Sequence, residues 1–140
     1  MPQAMELCVM IVDDDPIFHL MAKVMLRHTG IADDPYTCID GEEALAVIGK
    51  ISHPDTTILI FLDINMPTLN GWQVLERLTR LKVSSPVYVV IVTSSIDKAD
   101  EEQAKMYEHV IGYLVKPINR EQLEALKTSA HLSNLQGRRC

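Results

Sequence analysis

The chain has 140 residues, 47% of them hydrophobic and 23% charged, with a formal net charge of −6 at pH 7. That length suits a single domain that buries about two-thirds of its unfolded surface, so it needs neither disulfides nor metal to fold. The negative balance argues against non-specific nucleic-acid binding and against docking on an anionic membrane by charge alone. No apolar run approaches the ~20 residues of a membrane span.

The amino-terminal stretch M-P-Q-A-M-E has neither the charged region nor the apolar region of a signal peptide. The first apolar run is Leu7–Val12, short enough for a buried strand. Asp15 is a natural N-cap and Pro16 suits the first helical position of a helix over Ile17–His28, with Phe18, Met21, Val24 and Met25 as its inner stripe. A weaker strand follows at Pro35–Ile39. A second helix opens at Asp40, with Glu43 in the position of a capping box and Ala44, Leu45, Val47, Ile48 and Ile51 turned inward. Ile58–Leu62 is the next strand. The third helix starts near Asn70, buries Val74, Leu75, Leu78 and Leu81, and carries Glu76 and Arg80 as an i,i+4 pair. Val87–Val92 is the fourth strand. The fourth helix starts near Asp97 and is the most polar, with Ala104 and Met106 as inward candidates. Ile111–Val115 is the fifth strand. The last helix starts at Asn119 with Gln122 in the capping-box position and runs through Leu123, Leu126 and Ala130.

Strands and helices thus alternate five times, which implies parallel pairing through right-handed crossovers. The expected fold is a three-layer α/β/α, flavodoxin-like (βα)5 domain: a doubly wound five-stranded parallel sheet in the order 2-1-3-4-5. It occupies residues 1–140, with a core at about 7–130 and a short polar tail over 131–140. Cys8 and Cys38 read as small core residues and Cys140 as exposed. An odd count without metal spacing fits a reducing, cytoplasmic setting.

In a parallel sheet the residue after each strand lies at one edge, the carboxyl edge, where open α/β sheets bind ligands beside the reversal of strand order. Here those residues are Asp13, Asp14 and Asp15, then Asp63, then Thr93, Ser94 and Ser95, then Lys116 and Pro117. The first and third strands flank the reversal and bring Asp13, Asp14 and Asp63 together. Carboxylates about 5 Å apart repel by roughly 3 kcal/mol at an effective dielectric of ~20. Such a cluster takes up protons or holds a cation, and Lys116 alone cannot balance three charges. An all-oxygen donor set favours magnesium. A carboxylate nucleophile beside magnesium, a lysine and a hydroxyl suits phosphoryl transfer onto aspartate. Asp15, followed by proline, is explained by capping alone. Tyr113, in an edge strand, reads as readily as an ordinary core or surface tyrosine as a functional one, Trp72 reads as packing, and most of the scattered histidines read as solvated.

The stretches V-D-D-D-P, L-D-I-N-M-P-T-L-N-G, V-T-S-S and Y-L-V-K-P, in this order and spacing, resemble the receiver domain of two-component response regulators (CheY-like) over about Leu7 to Ala130. The resemblance implies Asp63 as phosphoacceptor, Asp14 as a direct metal ligand, Asp13 as a ligand through water, and the backbone carbonyl of Asn65 as a further ligand. It implies Thr93 and Lys116 as partners of the phosphoryl group, Thr93 and Tyr113 as switch residues, Asn65 and Ser95 as tuners of phosphoryl lifetime, and a cis bond between Lys116 and Pro117. The implied cofactor is magnesium, with manganese as a substitute. The implied donor is a histidine kinase or phosphotransfer protein, and the output is a downstream protein bound on the face of the fourth helix, fifth strand and fifth helix. No nucleic acid or membrane is expected as a partner. A stand-alone receiver, monomeric or weakly dimeric and not an enzyme, follows from the same resemblance. Two other functions compete. A haloacid-dehalogenase-type phosphatase would want a second acid where Asn65 stands. A phosphorylation-independent interaction module would not need the full acidic set.

Overall fold

The computed structural model describes residues 6–132. Among them, strands and helices alternate as β1 (Glu6–Val12), α1 (Pro16–Thr29), β2 (Tyr36–Cys38), α2 (Gly41–Ile51), β3 (Thr56–Leu62), α3 (Gly71–Arg80), β4 (Val87–Thr93), α4 (Lys98–Ala104), β5 (Val110–Val115) and α5 (Arg120–Lys127). The strands form one parallel sheet in the order β2-β1-β3-β4-β5, the doubly wound order expected from the alternation.

The strand side chains alternate between two cores, as a period of two requires. Met10, Val12, Ile58, Ile60 and Leu62 face one way and pack with Ile48 of α2 and Val74 and Leu75 of α3. Val9, Ile11, Leu59 and Phe61 face the other way and pack with Phe18 and Leu26 of α1 and Leu123 of α5. All seven residues of β3 are buried, which explains why Ile58–Leu62 is an unbroken apolar run rather than an alternating one. Cys8 and Cys38 are both buried, and burial, with Glu43 and Asp40 nearby, pushes the Cys38 thiol up to about 12. Cys140 lies outside the described residues.

Helix ends follow from caps. Asp15 accepts from the amide of Ile17 and Pro16 opens α1, while Gly30 closes it in the left-handed region at φ 78°. Reciprocal capping boxes start α3 (Asn70 with Gln73) and α5 (Asn119 with Gln122). At α2 the box is redirected. Asp40 accepts from the Glu43 amide, but the Glu43 carboxylate reaches the amide of Ile39.

Several packing details depart from the sequence pattern. α1 buries Phe18, His19, Ala22 and Leu26 and leaves Met21 40% and Val24 48% exposed. The helix is rotated because small Ala22 permits close approach and His19 finds a backbone partner. Leu81 is the C-cap of α3 rather than part of its buried stripe. Glu76 does not pair with Arg80; it accepts from the Tyr107 hydroxyl at 2.9 Å. α4 ends at Ala104, so Met106 lies beyond it and is exposed. α5 ends at Lys127, and Ala130 sits in an exposed turn. No helix among the described residues is long and apolar enough to cross a membrane.

Candidate functional site

Strand register builds the site. Val12 of β1 pairs with Leu62 of β3, so Asp13 and Asp63 each stand one residue past neighbouring strand ends. The Asp63 amide extends that ladder by donating to the Val12 carbonyl at 3.0 Å. Thr93 pairs with Val115 at the β4–β5 edge, and the Lys116 amide donates to the Thr93 carbonyl at 2.8 Å. Two register choices therefore fix which side chains meet at the carboxyl edge.

The three acids do meet. One carboxylate oxygen from each of Asp13, Asp14 and Asp63 lies within 4.8 Å of the others. Asp13 is 1% and Asp63 6% exposed, whereas Asp14 is open to solvent. At this spacing each pair repels by about 3 kcal/mol at an effective dielectric of ~20. Lys116 offsets part of it, with its Nζ 2.7 Å from Asp13 and 3.7 Å from Asp63. Burial holds the Asp63 carboxyl above its ordinary range. The Asn65 amide and Lys116 lower it, and Asp13 and Asp14 raise it further. For Lys116 burial acts downward, but the bond to Asp13 and the charges of Asp63, Asp13 and Asp15 outweigh it and hold the ammonium above its usual value. The pocket is thus short of positive charge, and its donors are all hard oxygens, a set that fits a hard divalent cation.

The remaining expected residues are placed as follows. The Asn65 amide donates to Asp63 Oδ1 at 3.0 Å, and the Asn65 side-chain amide donates to Thr93 Oγ1 at 3.2 Å. Thr93 is fully buried, and its hydroxyl also accepts from the Ser95 amide at 3.1 Å. The Lys116–Pro117 bond is cis. Tyr113 lies on edge strand β5, half-buried against the core, and its enclosed hydroxyl has no hydrogen-bond partner. Burial raises its pKa, with Asp100, Glu101 and Asp97 adding to the rise. Trp72 stacks on Tyr107 with ring centroids 6.0 Å apart, consistent with a packing role.

Three further residues shape the site, the last of them the glycine that closes the L-D-I-N-M-P-T-L-N-G stretch. Phe18 lies under the Lys116 ammonium, 4.5 Å from ring centroid to Nζ, a cation–π contact that holds the lysine over the pocket. His19, expected in solvent, is buried and its Nε2 bonds the Asp13 carbonyl. A histidine one turn into a helix, behind an acidic turn, was the available clue. Gly71 is the third. A Cβ there would stand 2.7 Å from the Asp63 carbonyl oxygen and 2.7 Å from Ile64 Cα, so only glycine lets α3 start against the backbone that carries Asp63. Gly71→Ala is expected to cost about 1–3 kcal/mol and to weaken magnesium binding, measured by urea unfolding and metal titration. Wild-type values in both would show that the backbone yields freely there.

The comparisons with known proteins now decide the family. A family model described as the response regulator receiver domain matches residues 9–127. The chain belongs to this family. The receiver domain is 34% identical over 131 residues to the positive alginate biosynthesis regulatory protein of Pseudomonas aeruginosa, covering 91% of this chain and 49% of that protein. The chain thus spans about half the length of that relative. Among solved structures it resembles the chemotaxis protein CheY4 of Vibrio cholerae, with a TM-score of 0.71 and 27% identity over 89% of this chain and 98% of that one. It shares the fold of the receiver domain of the sensor histidine kinase PA1611 of P. aeruginosa, with a TM-score of 0.69 and 22% identity over 89% of this chain and 96% of that one. That structure carries a magnesium ion coordinated in its active-site cleft. The receiver fold and two-component kinship expected from the motifs are therefore established.

Proposed function

We propose that this receiver domain accepts a phosphoryl group on Asp63 from the phosphohistidine of a histidine kinase or phosphotransfer protein, and signals through the face of α4, β5 and α5. The observation that carries this reading is the convergence of Asp13, Asp14 and Asp63 within 4.8 Å under a lysine that reaches two of them.

Asp14 and Asp63, with the backbone carbonyl of Asn65, would hold magnesium directly, and Asp13 would hold it through water. Manganese, with similar preferences, would substitute in the same oxygen set. When bound, magnesium supplies positive charge to the oxygens of the transferring group. The chain does the rest. The Asn65 amide fixes the Asp63 carboxylate through Oδ1. The other oxygen, Oδ2, faces Lys116 and attacks phosphorus. The P–N bond of the donor breaks and its electron pair leaves with the imidazole. Lys116 pairs with the phosphoryl oxygens, and the Thr93 hydroxyl turns from Asn65 to donate to one of them. Tyr113, whose hydroxyl is unpaired, then moves toward the space Thr93 gives up. The added group carries about −1.5 to −2 charge in place of −1.

A protein donor also has somewhere to sit. Ile17, Leu20, Met21 and Val24 form an exposed apolar stripe on α1, 74% and 67% exposed at its first two positions. The stripe begins immediately after the acidic turn, beside the pocket the donor must reach. A hydrolase reading is weaker. The second acid it requires is replaced by Asn65, whose amide is engaged by Thr93.

Incubation with acetyl phosphate and magnesium followed by intact mass tests the proposal. Wild type should gain one phosphoryl group and Asp63→Asn none. Equal uptake by the variant would assign the acceptor elsewhere, and steady release of phosphate from small esters would favour the hydrolase.

A further inference from the structure

The resting Thr93 hydroxyl is held by more than its own pocket. It accepts from the Ser95 amide at 3.1 Å and from the Asn65 side chain at 3.2 Å. Ser95 in turn is tied to α4. Its hydroxyl donates to Asp100 Oδ2 at 2.6 Å and accepts from the Asp97 amide at 3.2 Å. Asp97 caps α4 through the Ala99 amide, and the Asp100 amide donates back to the Asp97 carbonyl. The loop that carries Thr93 is therefore fastened to the first turn of α4 by one short, charge-assisted bond, a strong type. The same Asp100 acts on Tyr113 more strongly than the other acids of α4 and its cap, Glu101 and Asp97. The helix it anchors is short and polar, with Ala104 its only buried residue, so little else fixes its position.

From this arrangement we infer that Ser95 and Asp100 form a clamp that holds Thr93 in its resting position and transmits its movement to α4. They are positioning residues, acting through Thr93 and not on the phosphoryl group. The inference rests on the Asp63 reading and adds a second route to α4 beside Tyr113. Turning the Thr93 hydroxyl toward the pocket strains its bond from the Ser95 amide, and Ser95 cannot follow without loosening Asp100. The clamp thus opposes phosphorylation, and breaking it frees both Thr93 and the helix.

The chain contains a built-in reporter. Trp72 is its single tryptophan, and it stacks on Tyr107, three residues past the end of α4. Phosphoryl uptake from acetyl phosphate with magnesium, followed by intact mass and by Trp72 fluorescence, is compared for wild type, Ser95→Ala, Asp100→Ala, the double variant and Ser95→Thr. Each alanine variant should take up phosphoryl roughly three- to tenfold faster, the scale of one lost side-chain hydrogen bond. Its fluorescence before phosphorylation should already lie toward the phosphorylated wild-type value. The double variant should match Ser95→Ala, because Asp100→Ala only removes a bond that Ser95→Ala has already removed. Ser95→Thr should restore wild-type behaviour by keeping the hydroxyl. If wild type is phosphorylated and the folded alanine variants match it in rate and fluorescence, the clamp is overturned alone. Additive effects in the double variant would also overturn it, leaving Ser95 a role in lifetime only. A wild type that takes up no phosphoryl group would overturn the Asp63 reading and this one with it.

Discussion

Lys116→Met should unfold at much lower urea than wild type when metal is chelated, and should recover most of the loss when magnesium is added. Lys116 is the one cation within salt-bridge reach of Asp13 and Asp63 among the described residues. Its side chain is 18% exposed and that of Asp13 only 1%. Methionine keeps an unbranched stem of similar length and removes the charge that sits over the Phe18 ring. Two buried carboxylates then face each other with no counter-charge. Removing one partner of a buried pair costs about 3 kcal/mol or more, chiefly because the remaining charge stays desolvated. At a urea slope of about 1.5 kcal/mol per molar, the midpoint falls by about 2 M. Magnesium should narrow the gap, since a divalent ion supplies the missing charge. Uptake of phosphoryl from acetyl phosphate should fall roughly a hundredfold, the scale of losing one fixed donor to the developing charge. The measurements are Trp72-monitored urea unfolding in chelator and in magnesium, and the rate of mass gain. A variant with a wild-type midpoint in chelator would mean that the acids are not electrostatically confined, and the site's physical basis would fail.

The lysine shows why this site was so legible in the chain. Strand ends are marked by a change from apolar to polar residues, and in a parallel sheet all such changes fall on one edge. Asp13, Asp63, Thr93 and Lys116 could therefore be assigned to a common place before any distance was known, and the registers Val12↔Leu62 and Thr93↔Val115 put them there. Caps were legible for the same local reason. Asp15–Pro16 and Asn119–Gln122 act within one helical turn, where sequence distance equals spatial distance. What the pattern missed depends on rotation or on long-range contact. Hydrophobicity favours Met21 and Val24 for the inner face of α1, but the helix turns His19 and Ala22 inward to meet the Asp13 carbonyl and the sheet. Spacing pairs Glu76 with Arg80, yet its partner Tyr107 is 31 residues away. Ser95 and Asp100 are close in sequence, but their bond crosses a loop whose geometry no periodicity describes.

Asp63→Asn makes the sharpest test of the pocket's charge, because the same substitution should stabilise the protein without metal and deprive it of metal stabilisation. Burial first, with Asp13 and Asp14, holds the Asp63 carboxyl above its ordinary value. The folded state thus binds this proton more tightly than the unfolded state does. Stability must then fall as pH rises from the ordinary aspartate value near ~3.9 through the raised folded value. Above that window the whole deficit is present, so at neutral pH the ionised Asp63 weighs against folding. Asparagine carries no charge and can still accept from the Asn65 amide. The variant should therefore be more stable than wild type by about 1 kcal/mol in chelator at pH 7, and the advantage should vanish as pH drops below the ordinary aspartate value. Magnesium reverses the order. An ion at a hundred times its dissociation constant stabilises the folded state that binds it by about 2.7 kcal/mol, and the variant lacks a ligand for it. Urea midpoints across pH, with chelator and with magnesium, read both effects. If the variant were less stable than wild type in chelator at pH 7, Lys116 would be compensating Asp63 fully, and the pocket would have no unmet charge to draw a cation.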